Sequence, residues 1–512
     1  MTLESVLTSA PGWALAHAPV LIVAIPMLIA PVVAILPNGR LAWLISVLTA
    51  AVSFYLAIVT LGLVQSSPTG ILSYEIGRWP PPIGIEFRTD ALNAMILLLV
   101  TGIGFLASVF SWPTITSELG NRNKLGMFYA AFLLCMAGLL GVASTGDAFN
   151  LFVFLEISSL ATYVLVAMGA RRDRRALPAA FNYLIMGTLG ASFYIIGIGF
   201  LYAATGTLNM ADIADRLPAL TDSRSVQVGF AFIIVGLGLK AAMWPLHQWL
   251  PNAYSYSPSF VTVFLSATAT KVALYALVRF LFTVFRPEYS FELASFSWLL
   301  APLGIAAMVI CSFQAVFQTD VRRVLAYSSV AQVGYMLLGI SLATAPGVAA
   351  GLLHLFNHAL MKGALFMAIA GVVLTHQGTT IRDFAGIGRT APWTMTAFAI
   401  AGLSLIGVPL TAGFMSKLQL GYALFAEGWW WAVLLVVFSS FLAVFYVGRI
   451  LQAAFFQPPV NPRKTHKEAP LLILVPLWIL ALANLYFGIA ADFPLGLARD
   501  GAVAALGLEA FR

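Results

Sequence analysis

Five residues that can carry charge sit inside otherwise apolar stretches: Glu156, Lys240, Lys271, Lys362 and Lys417. A charge in hydrocarbon is costly, so ionisable groups at membrane depth usually face a wet interior and mark an ion or proton path. Burial disfavours the charged form of such a group and a neighbouring opposite charge restores it, so a Glu facing a Lys can load and release a proton. Glu156 lies midway along Phe152-Val153-Phe154-Leu155-Glu156-Ile157-Ser158-Ser159, where the competing reading is a static ion pair. Lys240 lies in the middle of its run, which argues against a lysine that snorkels to the surface along its stem. Histidine titrates near neutral pH when unperturbed. His247 could therefore bridge to the next span, or serve only as a hydrogen-bonding residue.

Lys271 follows Ser266-Ala267-Thr268-Ala269-Thr270, small residues that allow close packing and can orient water. Arg279, two turns on, reads as an interface anchor. His354, His358 and Lys362 fall at i, i+4 and i+8 and stack on one helix face. Two histidines at that spacing can ligate zinc, but no Glu or Cys completes a set and lysine is not a usual ligand. No metal site is assigned, and a wetted proton wire fits better. Lys417 stands near the expected end of its span, as an exit group or a snorkelling one. Asp147, in Thr145-Gly146-Asp147, is a helix cap or a cation-attracting residue at the external mouth of the path.

These side chains need elements to hold them. The chain has 512 residues, 61% hydrophobic and 9% charged, against about 25% charged in soluble domains. About fourteen apolar stretches approach the roughly 20 residues a spanning helix needs. An all-α integral membrane protein follows. The segment Met1 to Glu4 lacks a basic n-region, and the first apolar run is long enough to span, so it reads as a retained helix. Cys135 and Cys311 lack disulfide or metal-ligand spacing and read as packing residues. A phosphate-binding loop, a dinucleotide fingerprint, a cysteine cluster and a nucleophile elbow are all missing from the sequence. No cofactor and no catalytic residue is expected, and the reading is a secondary transporter subunit rather than an enzyme.

Arg171, Arg172, Arg174 and Arg175 form a basic loop between the fifth and sixth spans, which the positive-inside rule places in the cytoplasm. Alternation then puts Arg122, Lys124, Arg322, Arg323, Arg382, Arg389, Arg463, Lys464 and Lys467 on that side. Asp147, the Asp212–Asp222 stretch, Glu288, Glu292 and Glu427 fall opposite, with both termini external. The basic loops read as topology and lipid contact, not as a nucleic-acid surface.

Two stretches read as broken helices: Gly236-Leu237-Gly238-Leu239-Lys240 leading to Pro245-Leu246-His247, and Gly402-Leu403-Ser404-Leu405 leading to Pro409-Leu410. Proline removes a helix hydrogen bond, and in a membrane the freed carbonyls need protein or water partners. Paired interruptions of this kind point to an ion path between structural repeats. A weaker echo joins Ala204-Thr205-Gly206-Thr207 to Gln377-Gly378-Thr379. The two breaks lie five spans apart, an odd number, so the repeats must be inverted. The expected organisation is three N-terminal spans over 1–111, a first five-helix repeat over 125–282, a second over 296–456, and a last span with a tail over 469–512.

The motifs Phe154-Leu155-Glu156, Gly238-Leu239-Lys240 through Pro245-Leu246-His247-Gln248-Trp249-Leu250-Pro251, Thr270-Lys271, Arg323-Val324-Leu325-Ala326-Tyr327-Ser328-Ser329 and His354 to Lys362 carry a resemblance. Over about residues 90–455 the chain resembles the antiporter-like subunits shared by respiratory complex I and the multisubunit Mrp cation/proton antiporters. The resemblance implies a fourteen-helix core with two inverted repeats, and a hydrophilic axis through Glu156, Lys240, Lys271, Lys362 and Lys417. The stretches Ser144 to Phe152 and Tyr202 to Asp212 look most like the D-type branch of the Mrp antiporters. That branch implies a bacterial cytoplasmic-membrane complex exchanging protons for a monovalent cation, Na⁺ foremost, with partner subunits of the A, B, C, E, F and G types and membrane lipid around it. The alternative within the family is a proton-pumping subunit of complex I or of a membrane-bound hydrogenase.

Overall fold

A computed structural model describes residues 3–120, 124–459 and 468–508. Apart from an antiparallel hairpin of β1 (Leu72–Glu75) and β2 (Glu86–Thr89), the regular structure is helical. The N-terminal group is α1 (Leu3–Ser9), α2 (Gly12–Ala34), α3 (Gly39–Ser66) and α4 (Ala91–Leu119). A first central group follows: α5 (Leu125–Ser144), α6 (Ala148–Ala167), α7 (Ala176–Thr205), α8 (Met210–Arg216), α9 (Arg224–Lys240), α10 (Trp249–Tyr256), α11 (Ser259–Ala267) and α12 (Ala269–Val278). The second comprises α13 (Ser297–Phe317), α14 (Val321–Ser341), α15 (Ala345–His376), α16 (Ile387–Thr390), α17 (Pro392–Ile406), α18 (Ala412–Ala426) and α19 (Trp430–Phe456). The chain continues through α20 (Leu471–Ile489) and α21 (Asp492–Leu506).

Among the described residues twelve helical stretches are long and apolar enough to cross a membrane. In lipid a helix is the economical choice because it satisfies its own backbone groups. The two remaining expected spans are the two expected to be broken, α9 with α10 and α17 with α18, each too short alone. In the first, α9 stops at Lys240 and Ala242 takes a left-handed φ of 54°. The Leu239 carbonyl there accepts from the Ala242 N–H at 3.2 Å and from the Trp249 indole N–H at 3.0 Å. In the second, Gly407 and Leu410 have φ of 92° and 69°. Glycine suits the first of these because it has no Cβ to clash. Gly413 answers a different need: a Cβ there would sit 1.8 Å from the Ser404 carbonyl oxygen.

Three sequence expectations are corrected. The twelfth span does not end near residue 416; α18 runs on to Ala426, so Lys417 lies within a helix, buried, rather than at a span end. The Ser259–Val284 span is itself interrupted, at Thr268, where φ and ψ are −123° and −57°. Ser and Thr neighbours signalled close packing there, not a break. The residues after 490 are not a plain tail: α21 packs on α4 and α15, with Gly501 against Leu92 and Leu352.

The arginine-rich loop and the hairpin sit at opposite ends of α6. At the loop end, Arg171 donates to the Leu119 carbonyl, Arg172 pairs with Glu118 at 3.3 Å, and Glu118 accepts from the Ser259 backbone N–H at 2.9 Å. Arg322 reaches the same Ser259 through its hydroxyl, at 2.8 Å. At the other end the hairpin meets the starts of α6 and α8: Gly146 N–H donates to the Glu86 carbonyl and the Asn209 amide to the Glu86 carboxylate, at 2.9 and 2.8 Å. Arg122, Arg463, Lys464 and Lys467 lie outside the described residues.

Candidate proton and cation path

The five ionisable residues come from α6, α9, α12, α15 and α18, and those on α9, α12 and α18 stand beside a helix break. Lys240, the last residue of α9, places Nζ 3.3 Å from Glu156 Oε1 and 2.6 Å from Ser159 Oγ, both on α6. The lysine side chain is 7% exposed and the glutamate 22%. Glu156 is the less enclosed partner because α6 turns an apolar stripe outward, with Phe149, Val153, Leu160 and Val164 exposed.

Lys271 stands in the first turn of α12, just past the Thr268 break, and donates to the Ser266 carbonyl at the end of α11. Lys362 on α15 donates to the Leu325 carbonyl at 2.7 Å and to Ser328 Oγ at 2.5 Å, both on α14. Lys417 on α18 donates to the Leu405 and Ile406 carbonyls at 3.0 and 2.9 Å and to Ser440 Oγ at 3.0 Å. Those two carbonyls end α17, where the helix dipole favours a cation. The Tyr335 ring lies under the same ammonium at 4.8 Å, close enough for a cation–π contact.

Among the described residues only Lys240 of these four lysines meets a carboxylate. The other three rest on carbonyl and hydroxyl oxygens: the carbonyls under Lys271 and Lys417 stand at helix breaks, whereas the Leu325 carbonyl under Lys362 lies within the unbroken α14. A buried cation with neutral partners is held weakly enough to change protonation, whereas a full ion pair fixes it. The lysines also repel one another across the low-dielectric interior, so charging one disfavours charging the next.

Between Lys362 and Lys417 stand two histidines of α15. The His354 and His358 rings are parallel, 7° apart, with centroids 6.1 Å apart. His354 Nε2 lies 2.8 Å from Gln332 Oε1 and Nδ1 2.8 Å from Ser416 Oγ. His358 is fully buried, and neither of its ring nitrogens has a hydrogen-bond partner among the described residues. Beyond the Glu156–Lys240 pair, direct hydrogen bonds do not join one titratable group to the next, so handing a proton along requires bridging water.

Two expected site residues stand apart. His247 lies within the first break, with Cys311 Sγ 3.8 Å from its Nε2. It is bonded neither to Lys240 nor to Lys271. Asp147 is the cap of α6, accepting from the Asn150 N–H at 2.6 Å. Arg279 is no interface anchor: it is buried, 2.6 Å from both Asp90 Oδ1 and Asn93 Oδ1. Among the described residues no group of three or more His, Cys, Asp and Glu side chains could hold a metal ion. Sequence reasoning did not single out the hydroxyl and amide partners Ser159, Ser328, Gln332, Ser416 and Ser440. Gln332 carried a usable signal, a large polar side chain one turn past Ser328 in an apolar helix.

Residues 145–443 match the family described as NADH:quinone oxidoreductase/Mrp antiporter, transmembrane. The chain belongs to this family. It is a multi-pass, all-α membrane protein of the antiporter-like type, and the matched segment contains the whole series from Glu156 to Lys417. It is similar to the NADH-quinone oxidoreductase subunit N of Desulforudis audaxviator, 41% identical over 490 residues that cover 93% of this chain and 96% of that one. It is also similar to the D-type subunit of the Na(+)/H(+) antiporter of Bacillus subtilis, 30% identical over 434 residues, covering 84% and 86%. Among solved structures, the Mrp complex from Dietzia sp. DQ12-45-1b contains a chain that superposes with a TM-score of 0.87 at 25% identity, covering 96% of this chain and 97% of that one.

Proposed function

We propose that this chain is the proton-conducting subunit of a multisubunit monovalent cation/proton antiporter, with Na⁺ as the exchanged cation. The observation that carries the reading is the series itself: one Glu–Lys pair, then Lys271 and Lys417 at helix breaks, and Lys362 with two histidines along the unbroken α15. In a resting state Glu156 holds Lys240 charged. When that pair separates, Coulomb coupling moves charge along Lys271, Lys362 and Lys417, with His358 and His354 between them. Asp147 serves as a cation-attracting group at the mouth, and His247 as a side branch of the path. The two breaks mark two inverted five-helix repeats, over 125–282 and 296–456.

The partly exposed Glu156 supports an assembled state. A mid-span carboxylate does not face lipid at tolerable cost, so its open edge and the apolar stripe beside it belong against another subunit of the A, B, C, E, F or G type. The complex sits in a bacterial cytoplasmic membrane with the arginine-rich loop inside and both termini outside, its remaining perimeter facing lipid.

The test is cation-driven proton flux in inverted membrane vesicles, wild type against Lys240→Ala, with complex assembly measured in the same samples. Flux that requires Na⁺ and disappears in the assembled variant is the expected result. A second reading has its own support, the 41% identity to a subunit N of an NADH-quinone oxidoreductase. There the same path would be driven by electron transfer, and flux would need an electron donor and ignore added Na⁺.

A further inference from the structure

The two ring nitrogens of His354 face unequal partners. Nε2 meets the side-chain oxygen of Gln332, and Nδ1 meets the hydroxyl of Ser416, each at 2.8 Å. An amide oxygen only accepts, so the hydrogen in the first contact belongs to His354 Nε2. The neutral ring then carries its lone pair on Nδ1, and Ser416 donates to it. Ser416 has other acceptors in reach, the Gly413 carbonyl at 3.1 Å and the Ala412 carbonyl at 3.4 Å, of which Gly413 is the nearer. Both charge states of His354 are thereby satisfied. When the ring is neutral, Ser416 donates to Nδ1. When it is charged, Nδ1–H donates to Ser416 Oγ and the hydroxyl turns to Gly413. The proton on Nε2 has no way out, because the Gln332 amide oxygen is far too weak a base to take it.

We propose that Gln332 is a positioning residue that fixes the Nε2–H form of His354, so that His354 takes up and returns a proton at Nδ1 alone, through Ser416. This rests on the proton-conducting reading above, and it makes His354 a member of the series that loads and unloads at one nitrogen rather than a wire that passes a proton from one ring nitrogen to the other. The step balances. The Ser416 O–H bond breaks as Nδ1–H forms, a water-borne proton replaces the one lost from Oγ, and release runs the same exchange backwards. The contact with Gly413 ties the charge of His354 to the start of α18, beside the second helix break. The titratable groups facing His354 are Lys417 on α18, Lys271 on α12, Tyr335 on α14 and His358 on its own helix. They set the pH at which it loads, but not which nitrogen does so.

The experiment is ¹⁵N NMR of the full chain in its assembled, lipid-embedded complex, with histidine labelled. The His354 signal is assigned by its loss in His354→Asn or by its contact with the Tyr335 ring, whose centroid lies 5.4 Å away. The expected neutral spectrum has Nε2 protonated and Nδ1 bare, and Gln332→Met turns it into a mixture of the two forms. A wild-type ring with its hydrogen on Nδ1 overturns the proposal, as does a Gln332→Met protein that keeps a single Nε2–H form. If Gln332→Met fails to assemble, the wild-type spectrum alone decides which nitrogen is protonated. The spectrum does not depend on transport. The expected form without cation-driven proton flux in the wild type would therefore remove the loading role and the antiporter reading together, leaving only the tautomer.

Discussion

At the residue scale the charges were legible and their partners were not. Glu156, Lys240, Lys271, Lys362 and Lys417 stand out because any charge in an apolar run has a large cost to explain. Serine and threonine have no such cost, since a helix absorbs their hydroxyls by bonding them back to its own carbonyls. Only the fold shows that Ser159 and Ser328 turn to a lysine. Removing the Lys240 ammonium is expected to lower proton flux at least ~10-fold, equivalent to about 1.4 kcal/mol on the transfer barrier. Glu156→Gln is expected to lower flux through the same pair while Glu156→Asp, which keeps the charge, retains part of it. Vesicle fluorescence assays on matched amounts of complex check both. Equal loss in the Asp and Gln variants would show that the side-chain position, and not its charge, is what the path requires.

At the element scale the two proline-marked breaks were foreseen and the third was not. Gly/Pro patterns announce a break because they remove a backbone bond that must be replaced. The Thr268 interruption has neither residue, and tertiary packing decides it. Its consequence is chemical, for the Ser266 carbonyl it releases becomes the seat of Lys271. The breaks hold only while their freed groups are met. Trp249→Phe leaves the Leu239 carbonyl with the Ala242 N–H alone, at 3.2 Å, and is expected to destabilise the assembled protein by about 0.5–1.5 kcal/mol, the net worth of one hydrogen bond. Gly413→Ala drives a methyl into the Ser404 carbonyl, and overpacking of that kind costs about 1–3 kcal/mol or more. It is expected to displace Ser416 and Lys417 as well. Thermal melting of the purified complex measures both variants, and a Gly413→Ala protein of wild-type stability and flux would show that the α17–α18 approach is not required.

At the scale of the whole molecule, a buried clamp sits apart from the path. Arg279 on the α12 side joins the α4 cap Asp90 and Asn93, whose amide reaches the Ala143 carbonyl of α5 at 2.7 Å and the Tyr275 hydroxyl at 2.8 Å. Breaking such a pair strands a buried charge, so Arg279→Met and Asp90→Asn are each expected to destabilise the fold by ~3–5 kcal/mol. The complex that still assembles should keep its cation-driven flux. A transport defect without a stability defect would move Arg279 from the clamp to the path. By itself the sequence determined the membrane class, the helical spans, their two proline-marked breaks and the charges that must be buried. Each of these follows from the thickness of hydrocarbon and the cost of charge or an unmet backbone group within it, which act on every residue locally. Only the tertiary structure decided which lysine meets a carboxylate, which meet carbonyls, and that Arg279 faces inward rather than to the interface. Those outcomes depend on residues far apart in sequence, such as Asp90 and Arg279, and helix packing alone brings them within bonding distance.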